Sequence, residues 1–371
     1  MARPTIQKST INQVTSVQRI YTHIFVLLFL AFGISGCSSM GAAMKASPSF
    51  ANSIGFAEIP YDDLTERYTN EYSKWVEING LNIHYQEVGE GPTIVLVHGI
   101  MSSLQTWDDW VLELSKSYRV ISLDVPGFGL TGAPESLDDF NEEYLLNTFA
   151  KFIDVIELEN FSLAGNSLGG YIAAQYASNY PNRIDHLILL DPVAYPQAVP
   201  WVISFATAPV ISSIGGFFQP PVLITMNVEQ VYGDHQRIER RHMDRYVHMA
   251  QRSGAKSSYI KIMEILKQRS SEEKPLPFAQ IKAPTLLMWG EDDPWVPVAL
   301  SERWKEDIRG SQVVVYPGVG HMPMEEIPGK TVMDAIAFLN GEKVIQPEPI
   351  PKGKQFSKPG ATERQIEAVT D

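Results

Sequence analysis

Short apolar runs ending in a turn residue recur along this chain, and segments of helical period separate them. "TIVLVHG", "YRVISLDVPG", "FSLAG", "IDHLILLDP", "APTLLMWG" and "SQVVVYPG" are near-continuous in apolar residues. Runs of that kind suit strands buried on both faces, as in a parallel sheet covered by helices. Upstream, "SKWVEI" and "LNIHYQEVG" alternate around "NG", a hairpin signal. "TWDDWVLELSKS", "EYLLNTFAKFIDVIEL", "LGGYIAAQYASNYP" and "KTVMDAIAFLNG" read as helices, the last ended by Gly341. Strand–helix alternation on this scale predicts an open α/β sheet over residues 73–192 and 281–341.

Residues 193–280 break the rhythm. An apolar, proline-bearing stretch gives way to charged helical sequence, which predicts a helical cap inserted over the sheet. His242 and His248 there read as polar-face residues of a helix. The segment from Glu342 to Asp371 is rich in Pro, Lys and Gln without apolar periodicity and reads as a disordered tail.

The N-terminal segment is of another kind. Arg3, Lys8 and Arg19 precede an apolar run, Ile24–Ile34, which ends in small residues before Cys37. A basic start, an apolar run of about eleven residues and a small-residue end fit a secretory signal over residues 1–36. A membrane span needs about twenty residues, although an uncleaved anchor stays open as an alternative. Residues 37–72 then read as a modified N-terminus and tether. Cys37 is the only cysteine, which excludes an intramolecular disulfide and a cysteine-based metal cluster. A net charge of −13 argues against nucleic-acid binding, and cleavage before Cys37 would carry it to −16.

The chemistry concentrates at strand ends. "GNSLG", Gly165–Gly169, places Ser167 between a strand and a helix. A serine projecting from such a turn needs small neighbours, and the helix N-terminus offers the Leu168 N–H to a developing oxyanion. The same residues would also serve a capped structural turn. A serine nucleophile needs a histidine and a carboxylate, expected downstream in the order acid, then histidine. Asp292 and Asp293 follow one strand and His321 follows the next. Upstream, Ile100 in "HGIMSS" offers a second backbone oxyanion donor, and His98 reads as structural. "GKT" at Gly329–Thr331 is no phosphate loop, since Met324 stands where the first glycine belongs. No ligand cluster suggests a metal.

"LVHG", "LDVPGFGLTGAP", "LAGNSLGG", "WGEDDPWVP" and "GHMPMEEIP", in that order, resemble the α/β-hydrolase superfamily over residues 73–340. The resemblance implies a mostly parallel eight-stranded sheet with a cap after the sixth strand. It implies Ser167 as nucleophile, His321 as base and Asp293 as acid, because the pattern W-G-x-x-D runs from Trp289 to Asp293. Asp191 is the fallback acid, and Ile100 and Leu168 are the oxyanion donors. Ser167 excludes the branches that carry aspartate as nucleophile. "ISGC" resembles the lipobox of bacterial lipoproteins, with Cys37 lipidated. The expectation is a lipid-anchored, periplasm-facing serine hydrolase of the bacterial envelope, with the outer membrane as one location, acting without cofactor on hydrophobic esters or acyl compounds. A carbon–carbon hydrolase of ring-fission keto acids is the first alternative. A non-catalytic binding protein on the same fold is the second. Trp201, Phe205, Phe217, Phe218, Leu223 and Met226 make the opening of the cap apolar, which suits a hydrophobic substrate or plain burial against the sheet.

Overall fold

The computed structural model describes residues 58–209, 211–212 and 220–348. The segment expected to be a signal, Cys37, Phe217, Phe218 and the end of the expected tail lie outside the described residues. Eight strands form one sheet in the order β1-β2-β4-β3-β5-β6-β7-β8. They are β1 Ser73–Ile78, β2 Leu81–Val88, β3 Thr93–Val97, β4 Arg119–Leu123, β5 Phe161–Asn166, β6 Ile184–Leu190, β7 Thr285–Gly290 and β8 Gln312–Tyr316. Only β2 runs antiparallel to its neighbours, β1 and β4; every pair from β4 through β8 is parallel. The β1–β2 turn puts Asn79 at φ 53° and Gly80 at φ 77°, the left-handed pair that a tight hairpin requires.

The helices are α1 Tyr61–Tyr68, α2 Asp108–Leu114, α3 Glu142–Val155, α4 Leu168–Asn179, α5 Trp201–Ala206, α6 Pro221–Val231, α7 Arg240–Ala250, α8 Ala255–Ser271, α9 Leu300–Asp307, α10 Pro323–Glu326 and α11 Pro328–Leu339. α2 packs with α11 and α3 with α4 against the sheet, so every residue of β5 and β7 is buried. That two-sided burial is why these strands are apolar throughout rather than alternating. The helices α5 to α8 all fall between β6 and β7. Among the described residues no helix is long and apolar enough to cross a membrane.

Two boundaries move. The tether reading for residues 37–72 stops short, because the chain from Glu58 is folded onto the molecule. The Ile59 N–H donates to Gln251 O at 2.8 Å, and Leu64 on α1 is buried against Leu130 and Met249. Leu64 and Tyr68 share one face of a short helix, enough to dock it but too few for a visible period. The tail also begins later than Glu342. Val344 is buried, and the Gln346 side chain accepts from Val315 N–H at 3.0 Å while donating to Val313 O at 2.6 Å. This segment covers the free edge of β8, which an exposed edge strand needs.

Candidate active site

Ser167 sits where β5 ends and α4 begins, at φ 55° and ψ −116°. A non-glycine residue at positive φ is strained, and the surroundings hold it there. The Ser167 N–H donates to Leu190 O at 3.0 Å, and its carbonyl accepts from Tyr171 N–H and Val193 N–H. A side chain on Gly165 would collide with the Gly169 backbone, and one on Gly169 would collide with the carbonyl of Val97. Both glycines are therefore demanded by close backbone approach beneath the serine.

His321 follows β8, and Asp293 follows β7. The His321 Nδ1–H donates to Asp293 Oδ2 at 2.6 Å. The other oxygen, Oδ1, accepts from Trp295 N–H at 2.7 Å and Val296 N–H at 3.0 Å. With Nδ1 protonated toward the carboxylate, Nε2 is left as the acceptor that a serine hydroxyl would use. Asp292 is exposed, so the choice of Asp293 follows from which carboxylate meets the ring. The His321 backbone is tied on both sides: its N–H donates to Val231 O at 2.7 Å, and its carbonyl accepts from Asn166 Nδ2 at 3.1 Å. A site of three positioned side chains thus rests on the ends of β5, β7 and β8.

Ser167 and His321 share a cavity of about 30 Å³ with Ile100, Met101, Trp295 and four cap-side residues. That space accommodates about one or two water molecules. Ile100 is in the wall, and Leu168 is the first residue of α4, with no carbonyl four residues earlier in its helix to accept from its N–H. Among the described residues the cap contributes Asn227, Val228 and Val231 of α6 and Tyr246 of α7, not Trp201, Phe205, Leu223 or Met226. Trp201 is instead half-exposed and donates to Gln230 Oε1 at 3.0 Å.

Asp191, the fallback acid, lies just behind this pair. One oxygen of Asp191, one of Asp293 and one His321 nitrogen fall within 4.8 Å of one another. Asp191 Oδ1 accepts from Gly290 N–H at 2.9 Å. Burial, then the Asp293 charge, pushes the Asp191 carboxyl well above the usual range. Both causes disfavour charge on Asp191, and the carboxylate that meets the His321 ring is Asp293. The same three groups are close enough to ligate a cation, yet Asp293 is committed to His321 and two backbone N–H groups.

His98 is structural, as its position suggests. Its Nε2 accepts from Val125 N–H at 3.0 Å and its Nδ1–H donates to Gly99 O at 2.7 Å, which fixes a neutral tautomer. Burial lowers its pKa in the same direction. A second Ser–His–Asp relation exists at the hairpin: Ser73 Oγ lies 3.2 Å from His84 Nε2, and His84 Nδ1 lies 2.7 Å from Asp124 Oδ2. Its serine already accepts from Asn70 N–H and Gln86 Nε2, and Asp124 accepts from Leu104 N–H and Leu130 N–H. That network ties β1 and β2 to the loop after β4.

His242 corrects the sequence reading. It is buried, 3.7 Å from Glu325 Oε2, in a polar cluster behind the site. Glu325 on α10 pairs with Arg245 of α7, accepts from Thr106 Oγ1, and accepts from Tyr232 Oη at 2.6 Å. Burial pushes the Glu325 carboxyl up, but Arg245, His242 and these hydrogen bonds outweigh it and hold it down to about 2. Its neighbour Glu326 pairs with Arg237 at 2.8 Å and accepts from Gly320 N–H and Gly233 N–H. Sequence reasoning missed both acids, although "MPMEEIP" was in view, because partners about eighty residues upstream leave no local pattern.

Comparison with known proteins agrees with this architecture. The pattern described as "Alpha/beta hydrolase family" matches residues 94–335. The chain belongs to the α/β-hydrolase family. It is similar to 2-hydroxy-6-oxo-2,4-heptadienoate hydrolase of Pseudomonas putida, 26% identical over 260 residues, covering 68% of this chain and 90% of that protein. It is likewise similar to 2-hydroxy-6-oxononadienedioate/2-hydroxy-6-oxononatrienedioate hydrolase of Escherichia coli, 25% identical over 275 residues, covering 70% and 92%. Among solved structures, a membrane phospholipase A described as a bacterial virulence factor aligns at a TM-score of 0.61 and 25% identity, covering 87% of this chain and 98% of that one. This α/β-hydrolase is a hydrolase by kinship; the bond it cleaves is a separate question.

Proposed function

We propose that this α/β-hydrolase is a serine esterase that cleaves carboxylic esters of apolar acyl groups through an acyl-enzyme on Ser167. Ser167 Oγ attacks the ester carbonyl as His321 Nε2 takes its proton, and Asp293 orients and offsets the imidazolium. The N–H groups of Ile100 and Leu168 receive the oxyanion, each worth about 3 kcal/mol in comparable sites. His321 protonates the departing alcohol, then activates a water that releases the acid. This chemistry needs no cofactor.

The observation that favours an ester over the ring-fission keto acids named for the relatives is the charge of the wall. Among the described residues lining the cavity there is no Lys or Arg. Arg245 stands close by but is committed to Glu325. A dienoate is a carboxylate and would be buried there without a counter-charge, whereas an ester is neutral. The carbon–carbon reading keeps the support of two relatives that bear such names. Assaying p-nitrophenyl butyrate beside a vinylogous keto acid separates them. The esterase reading predicts a larger kcat/KM for the ester by about 100-fold or more, in line with the cost of an unpaired buried charge. A larger value for the keto acid sinks it.

We place the enzyme on the bacterial envelope, lipid-anchored through Cys37 and facing the periplasm. The basic–apolar–small pattern before Cys37 supports this, as does likeness to a membrane phospholipase A. Expressed in a bacterial host, wild type should partition with membranes and Cys37→Ala should not be processed or acylated. A Cys37→Ala protein processed and membrane-bound like wild type contradicts the anchor.

A further inference from the structure

Esters differ in what they carry beside the scissile bond, and one side chain in the cavity bears on that choice. Asn227 lies on α6, one turn before Val231, whose carbonyl is bonded to the His321 N–H. That bond fixes the helix face, so Asn227 and Val231 both stand over the site. Asn227 is 6% exposed. Its Nδ2 donates to a thioether, Met101 Sδ, at 3.3 Å, and its Oδ1 has no partner among the described residues.

A buried carboxamide oxygen left unpaired is costly, and none of the polar side chains that share this cavity donates to it. Leucine has the same branching and number of side-chain heavy atoms and would carry no polar cost at this wall. The other unpartnered amide oxygen at the site, Asn166 Oδ1, packs against Gly99, and its nitrogen is used by Leu190 O and His321 O. Of the cap residues that line this cavity, Asn227 is thus the one whose side-chain oxygen has no partner among the described residues. Its free atom is an acceptor, so it is no oxyanion donor; it would repel the charge that develops on the carbonyl oxygen.

Resting on the esterase reading, we infer that Asn227 is a specificity-determining residue that accepts a hydrogen bond from a hydroxyl next to the scissile ester. The substrate class is then hydroxylated esters, carrying the hydroxyl either on the alcohol, as in partial esters of polyols, or on the acyl group, as in hydroxyacyl esters. In the complex the substrate hydroxyl donates to this oxygen and supplies the partner it lacks. An ether oxygen at the same place has no proton to donate and meets Oδ1 with like partial charge.

The test compares kcat/KM on four butyrate-sized esters with the full chain: propyl butyrate, 2-hydroxypropyl butyrate, 2-methoxypropyl butyrate and propyl 3-hydroxybutyrate. One hydroxylated ester should exceed propyl butyrate by about tenfold, and which one does so tells the alcohol source from the acyl source. The methoxy ester should show no such gain. In Asn227→Leu the hydroxyl-to-propyl ratio should fall to about one. Equal rates for propyl butyrate and both hydroxylated esters in wild type overturn the inference without any variant, as does a 2-methoxypropyl ester as fast as a preferred 2-hydroxypropyl ester, or a preference that persists in Asn227→Leu. If none of the four is turned over, the esterase reading itself fails; turnover of propyl butyrate with no hydroxyl preference removes only the role of Asn227.

Discussion

Ser167→Ala and His321→Ala are each expected to lower kcat on p-nitrophenyl butyrate by about 10⁴-fold to 10⁶-fold with little change in KM, and the double variant to be no worse than either single one. The equality matters more than the size. Ser167 and His321 share one cavity, and the histidine ring is held by Asp293 at 2.6 Å, so serine and base act as a unit. Removing the base from an enzyme that already lacks its nucleophile removes nothing further. Asp293→Asn should cost about 10⁴-fold, because the amide favours the wrong imidazole tautomer. Asp191→Asn should stay within about threefold, since asparagine mimics the neutral acid and keeps an acceptor for the Gly290 N–H. Steady-state kinetics on wild type and the five variants decide the matter. A large loss in Asp191→Asn with a small one in Asp293→Asn would reverse the assignment of the acid.

The second large effect is on stability. Glu325→Gln should lower it by about 3–5 kcal/mol, because Arg245 is left as a buried charge without a partner. Glu325→Leu combined with Arg245→Met should recover most of that loss, since the desolvation of both ions disappears together. The pH dependence has a definite sign. Glu325 is held down to about 2 from an ordinary 4.5, so the unfolded chain binds its proton more readily. Its ionised form stabilises the fold fully above about pH 4.5, and that contribution is lost as pH falls toward 2. Thermal melts across this range should show the acid limb in wild type and a shallower one in the double variant. A Glu325→Gln protein that melts within 2 °C of wild type would show the pair to be idle.

Much of this was legible in the chain. Strands β3 to β8 coincide with the six quoted apolar runs, as a covered parallel sheet demands, and β1 and β2 coincide with the alternating pair around the hairpin turn. Ser167, Asp293 and His321 could be found because each follows a strand, and loops after parallel strands gather at one edge of the sheet. Single residues decided what was missed. α1 hangs on Leu64, a lone buried contact in a polar octapeptide, and so passed for tether. Gln346 caps the edge of β8 through side-chain bonds that leave no period in the sequence. Arg245 and Glu325 are 80 positions apart, and nothing in "RRHMDRYVHMA" marks which arginine turns inward. Asn227 looks like a polar interruption in an apolar helix until the cavity beside Ser167 is known.

The central claim is that one serine of this chain is activated, and active-site labelling tests it most directly. The purified protein is treated with a fluorophosphonate and the adduct mapped by peptide mass spectrometry. The account predicts one adduct, on Ser167, lost in Ser167→Ala and strongly reduced in His321→Ala. Ser73, with its own histidine and aspartate in line, is a built-in control and should stay unlabelled, because its hydroxyl is taken up by Asn70 N–H and Gln86 Nε2. Labelling that persists in Ser167→Ala, or wild-type protein that takes no label, would contradict the account.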